Sequence, residues 1–182
     1  NTFRVLNSGI NALNNKLKCG IIDSKERFWI GTRKGLVLHE NDNVKLIGKD
    51  QGLVNDNIRV VMEDSKGRIW VGTYGGISIL DAENNSTSNL TTSNGLSHNY
   101  IMHIIEDKKG RVWVGTRDGL NLIENEKITN FDSNDGLSGE FVFKTFIDSD
   151  DVVWVLGNAG LTRYKNNVFK SITTKNGLAS NT

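Results

Sequence analysis

Four tryptophans, Trp29, Trp70, Trp113 and Trp154, are the only ones in 182 residues, and they fall 41, 43 and 41 residues apart. A second marker keeps the same beat. Gly52-Leu53, Gly95-Leu96, Gly136-Leu137 and Gly177-Leu178 are separated by 43, 41 and 41 residues. The wording between the markers also recurs: DSKGRIWVGT from Asp64 to Thr73 returns as DKKGRVWVGT from Asp107 to Thr116. Self-similarity at one fixed period commits a chain to a repeat architecture, in which each unit hides its apolar face only against a neighbouring unit.

Within a unit the apolar residues come in short bursts rich in Val, Ile, Phe and Trp, too short for helices and suited to strands. In the second unit the bursts place strands at Ile58 to Glu63, Arg68 to Gly72, Gly76 to Leu80 and Ser88 to Leu90. The expected fold is all-β: four four-stranded antiparallel repeats, each a blade of a β-propeller, stacked around an axis as part of a larger propeller. The repeats run over 11–52, 53–95, 96–136 and 137–178, with 1–10 ending a preceding blade. The chain opens near Thr2 to Leu6 as an outer strand and closes at Ser180 to Thr182 where an inner strand is due. Further blades, or a second copy of the chain, are therefore expected partners.

The tryptophans are expected between blades, in a core with Ile69, Val71, Ile77, Ile79, Val112, Val114, Leu120, Val153 and Leu161. Gly72 and Thr73, after Trp70, are expected to turn the chain out of the second strand, and Gly72 and Gly115 to have structural roles. Gly67 and Gly110 suit turn positions of positive φ, so Glu26 and Asp151 in the same places predict altered hairpins in the outer units.

Charge narrows the partners. Twenty-two basic and 21 acidic residues leave a formal charge of +1 with no long run of either sign, which argues against nucleic acid and against a lipid-surface patch. No apolar run approaches the length of a membrane helix, so no direct membrane insertion is expected of this segment. Cys19 is the only cysteine, which removes intramolecular disulfides and cysteine metal clusters. The three histidines, His39, His98 and His103, form no recognised metal motif, and DSKGR lacks the alternating oxygen ligands of a calcium loop. It reads as a turn. No cofactor, metal or catalytic residue is expected.

The stretch EDSKGRIWVGTYGGI from Glu63 to Ile77 resembles the two-component regulator propeller repeat. The third unit, Glu106 to Leu120, resembles it equally, and GLSHNYI from Gly95 to Ile101 is similar to the link between its blades. The fourth unit departs from the pattern, with Leu156-Gly157 standing where Gly-Thr is due. The resemblance implies an extracytoplasmic sensory segment, periplasmic or extracellular, of a membrane-bound bacterial regulator whose kinase lies outside this chain. It also implies more blades than four, and in several such receptors a response to polysaccharide-derived sugars.

A propeller gathers equivalent loops on one rim, so two columns become binding candidates. Four residues after each tryptophan stand Arg33, Tyr74, Arg117 and Asn158. The links into the inner strands contribute Asn55, Asp56, His98, Asn99, Tyr100 and Glu140, with Phe141 beside them. Aromatic rings stack on sugar faces, while Arg, Asn and Asp bond hydroxyls, which makes a non-catalytic oligosaccharide site the leading expectation. Arg59, Met102, Phe143 and Lys144 on the inner strands rank below these, with Met102 and Phe143 expected in packing roles. A propeller lyase or glycoside hydrolase and a protein-binding scaffold are the alternatives.

Overall fold

The computed structural model describes residues 16–81, 84 and 86–181. Among these, sixteen strands form four four-stranded antiparallel sheets, each paired in chain order. The first blade comprises β1 (Cys19–Ile22), β2 (Phe28–Thr32), β3 (Gly35–Glu40) and β4 (Asn43–Ile47). The second comprises β5 (Ile58–Glu63), β6 (Ile69–Thr73), β7 (Ile77–Asp81) and β8 (Ser86–Leu90). The third comprises β9 (Ile101–Glu106), β10 (Val112–Thr116), β11 (Leu120–Glu124) and β12 (Lys127–Phe131). The fourth comprises β13 (Val142–Ile147), β14 (Val153–Gly157), β15 (Gly160–Lys165) and β16 (Val168–Ile172). The strand expected near Thr2 to Leu6 lies outside the described residues.

The repeated aspartate turns out to organise each blade. In the hairpin joining its first two strands, one oxygen of Asp64 accepts from the backbone N–H groups of Lys66 and Arg68, at 3.0 and 2.9 Å. The other accepts from the Arg68 Nε–H at 2.7 Å and from the Trp70 indole at 2.8 Å. Asp23 binds Arg27 and Trp29 in the same way, as Asp107 binds Arg111 and Trp113. In the fourth blade Asp148 still holds Trp154, but Val152 stands in place of the arginine. The DSKGR phrase is therefore a turn whose buried carboxylate also locks the tryptophan.

This lock explains why the outer hairpins are not altered. Glu26 and Asp151 take φ of 60°, close to the 74° of Gly67 and Gly110, and the same backbone bond closes all four turns. Left-handed backbone costs a non-glycine residue roughly 1–2 kcal/mol, and the bonds to the aspartate offset it.

Successive blades pack through the tryptophan layer. Trp29 sits with Ile58, Val61 and Val71 of the second blade, Trp70 with Ile101, Ile104 and Val114 of the third, and Trp113 with Val142, Val153 and Val155 of the fourth. The chain turns after Thr73, the last residue of β6, whose N–H bonds the Gly76 carbonyl, while Gly72 and Gly115 lie within strands. They admit the next blade instead. A Cβ on Gly31, Gly72 or Gly115 would come within 2.7 Å of Ile58, Ile101 or Val142 respectively.

β1 lies beside β5, β5 beside β9, and β9 beside β13, but the first and fourth blades do not pack together as successive blades do. The described sheets thus form an arc rather than a closed ring. Trp154 and Leu161, expected in the core, are only half-buried, because among the described residues no further sheet lies against the face they share with Phe146 and Leu156. Leu156 occupies the register position of Gly115, opposite Lys144 where Gly115 faces His103. The face is exposed enough to leave Phe146 at 43% and Leu156 at 38% accessibility.

Candidate ligand-binding rim

The second, third and fourth blades each fasten their middle turn to the link that enters them. Tyr74 N–H donates to the Asn57 carbonyl at 3.3 Å, Arg117 to Tyr100 at 3.2 Å, and Asn158 to Phe141 at 3.0 Å. The two columns singled out in the sequence therefore share one end of the arc.

Several candidate side chains hold this rim together. Asn55 Oδ1 accepts from the Asn57 N–H, Asp56 from Lys49 and Asn99 from Thr92, all between 2.7 and 2.8 Å. His98 Nδ1 accepts from the Tyr100 N–H at 2.8 Å, and Asn158 Oδ1 from the Phe141 N–H at 3.1 Å. Such local side-chain bonds fix loop shape. Arg33, Arg117 and Glu140 are exposed.

The structure brings three other side chains into one group. Tyr74 of the second blade and Tyr100 of the third meet edge-on, with ring centroids 4.2 Å apart. The Arg59 guanidinium lies 5.7 Å from the centre of the Tyr74 ring and 5.5 Å from that of Tyr100. Its Nη2 also reaches Met102 Sδ at 3.6 Å. Arg59 Nε and the neighbouring Asn57 Oδ1 are buried with no protein hydrogen-bond partner. Buried polar groups normally find one, so donor and acceptor capacity is left over beside an aromatic pair.

The same contacts polarise the tyrosines. The hydrogen bond with Tyr100 is the main influence lowering the pKa of Tyr74, helped by the Arg59 charge, whereas that bond and burial raise the pKa of Tyr100.

Arg59 ranked low in the sequence because alternation along β5 does not reveal its direction. The pairing of β5 with β6 slips between Ile58 and Val60, and Arg59 is the extra residue. The same slip sets Met102 in β9 and Phe143 in β13. Bulges re-aim side chains. Met102 is half-buried, but Phe143, expected to pack, is 46% exposed and lies 4.7 Å from the Phe141 ring.

One residue inward, His103 bridges two blades. Its Nδ1 lies 3.0 Å from Thr145 Oγ1. Burial, with the Lys144 charge second, lowers its pKa to about 4, so the ring is neutral at ordinary pH. Among the described residues no three His, Cys, Asp or Glu side chains are grouped to hold a metal ion, and no helix is long and apolar enough to cross a membrane.

Two stretches, residues 52–75 and 95–118, match the family model described as two component regulator propeller. Both matched stretches fall in the second and third blades and the links that enter them. The matched spans include Asp64 with Trp70 and Asp107 with Trp113, together with Tyr74 and Tyr100 of the rim. As a propeller-repeat segment the chain is similar in fold to extracellular domains of two B. thetaiotaomicron proteins described as hybrid two component systems. One, BT3049, gives a TM-score of 0.80 at 23% identity over 90% of this chain and 24% of that one. The other, BT4673, gives 0.76 at 22% identity over 88% and 25%. The chain spans about a quarter of their length. Virginiamycin B lyase from Staphylococcus aureus shares the fold at TM-score 0.71 and 17% identity, over 90% of this chain and 57% of that one. No curated protein matches the sequence.

Proposed function

We propose that this propeller-repeat segment is part of the extracytoplasmic sensor region of a bacterial two-component regulator, and that its rim binds a polysaccharide-derived oligosaccharide without converting it. The observation that carries this reading is the group formed by Tyr74, Tyr100 and Arg59. A half-exposed aromatic pair offers a face for a sugar ring, and the half-buried Arg59 guanidinium beside the rings offers donors to hydroxyls. Exposed Arg117 and Glu140 extend the same rim. The extracellular location is taken from the structures whose fold this chain shares.

Calorimetric titration with a panel of oligosaccharides tests the reading. Saturable binding to at least one sugar is expected, weakened at least about tenfold in Tyr100→Ala, on the scale of a lost sugar-stacking contact. Cleavage of the bound sugar, lost on a rim substitution, would favour the lyase or hydrolase alternative. Binding by none of the panel, or affinity unchanged in both Tyr74→Ala and Tyr100→Ala, would contradict the assignment.

A further inference from the structure

The end of the arc opposite the rim differs from one pair of blades to the next. Between the third and fourth blades, Phe131, Tyr164 and Phe169 close around Trp113, with the Tyr164 ring 4.9 Å from the indole. The Tyr164 hydroxyl donates to Asn167 across the turn at 2.9 Å. Only a small cavity of about 150 Å³ remains there, beside Lys109, Arg111 and Tyr164.

Between the second and third blades the same three register positions hold smaller side chains. Leu90 faces Ile77 as Phe131 faces Leu120, and Ile123 faces Val112 as Tyr164 faces Val153. Ile128 replaces Phe169. The space is not taken up by collapse of the sheets: a cleft of about 610 Å³ remains, floored by Trp70, Ile79, Val112 and Ile123. That volume lies in the ordinary range for small-molecule sites.

The walls of the cleft are unlike each other. On the second-blade side stand Lys66 and Arg68, and on the third-blade side the turn at Asn125 and Glu126. Arg68 keeps its bond to Asp64, but its side chain is 34% exposed where Arg111, at the filled interface, is 13% exposed. Asp64 has no side-chain exposure, so the wall presents N–H donors rather than the carboxylate beneath them.

We propose that this cleft is a second binding site, separate from the rim, for a small amphipathic carboxylate with a flat apolar body. The body lies on the Trp70 and Ile123 floor, where it replaces the aromatic filling found between the next two blades. The carboxylate meets Lys66 and the free edge of Arg68 in charge-assisted hydrogen bonds. Glu126 repels it from the opposite wall and so fixes its orientation.

The four indole N–H signals give one reporter per blade. Titration of the intact chain with naphthaleneacetate, followed by proton–nitrogen correlation NMR, is expected to shift the Trp70 indole saturably and leave the Trp113 and Trp154 indoles in place. The double substitution Leu90→Phe and Ile123→Tyr copies the filled interface and is expected to abolish the shift. Lys66→Ala, at an exposed position that leaves the core intact, is expected to weaken binding about tenfold, the loss of one charge-assisted contact. Glu126→Gln is expected to tighten it. No saturable Trp70 shift, an equal shift at Trp154, or unchanged affinity in Lys66→Ala would overturn the proposal.

Discussion

Asp107 and Trp113 are joined across a hairpin by a 3.0 Å bond from the indole N–H to a carboxylate oxygen. The aspartate is 5% exposed and the tryptophan fully buried. The same oxygen accepts from Arg111 at 2.7 Å. One acidic side chain therefore sets the turn, the guanidinium and the indole that fills the space between blades.

Replacing Asp107 by Ala leaves Arg111 and the indole N–H without their acceptor in a buried site. The expected loss is about 3–5 kcal/mol, the range for removing one partner of a buried ion pair. Asp107→Asn keeps an acceptor oxygen and should cost less. Urea unfolding of the two variants checks the order, and equal, small losses would assign the aspartate to turn geometry alone.

The four lock aspartates and His103 act in different pH ranges. For Asp64 and Asp107, burial raises the pKa, but the bonds from tryptophan and arginine outweigh it and the net shift is downward. Their stabilisation is thus present above the ordinary carboxylate pKa and lost as pH falls through the lowered value. His103 titrates earlier. Its pKa falls from 6.5 unfolded to about 4 folded, so the stability it contributes is complete above 6.5 and declines as pH falls toward 4. Unfolding measured along a pH series should lose stability through this window, and His103→Gln should flatten that part of the curve. An unchanged slope in the variant would place the effect elsewhere.

Burial differs between tryptophans that the sequence makes equivalent. Trp113→Ala is expected to cost about 3–5 kcal/mol as a large aromatic removed from a core. Trp154→Ala should cost clearly less, because its ring is half-buried and stacks on the exposed Phe146, at 5.9 Å. Urea midpoints compared at constant m-value are the check, and equal losses would mean that the fourth blade's outer face is covered in solution.

The blade architecture was legible because a tryptophan every 41 to 43 residues demands a repeated sheet. Less legible was anything that depends on a partner in the next blade. Trp154 and Leu161 fit the core pattern, yet among the described residues no sheet covers them. Gly72 looked like a turn because the sequence shows the missing side chain and not Ile101, which needs the space. Arg59 was obscured by a bulge that breaks the alternation of β5. The cleft has no motif at all; it appears only when Leu90, Ile123 and Ile128 are compared by register with Phe131, Tyr164 and Phe169. Asp64 was visible as a turn former, but its bond to an indole six residues later needed the hairpin to be folded.

The rim assignment is tested most directly by nuclear Overhauser effects between a bound oligosaccharide and the aromatic side chains. The account predicts contacts from sugar ring protons to the Tyr74 and Tyr100 ring protons at saturation, with none to Trp154 or Phe146. Sugar contacts confined to the outer face of the fourth blade, or saturable binding with no contact to either tyrosine, would contradict it.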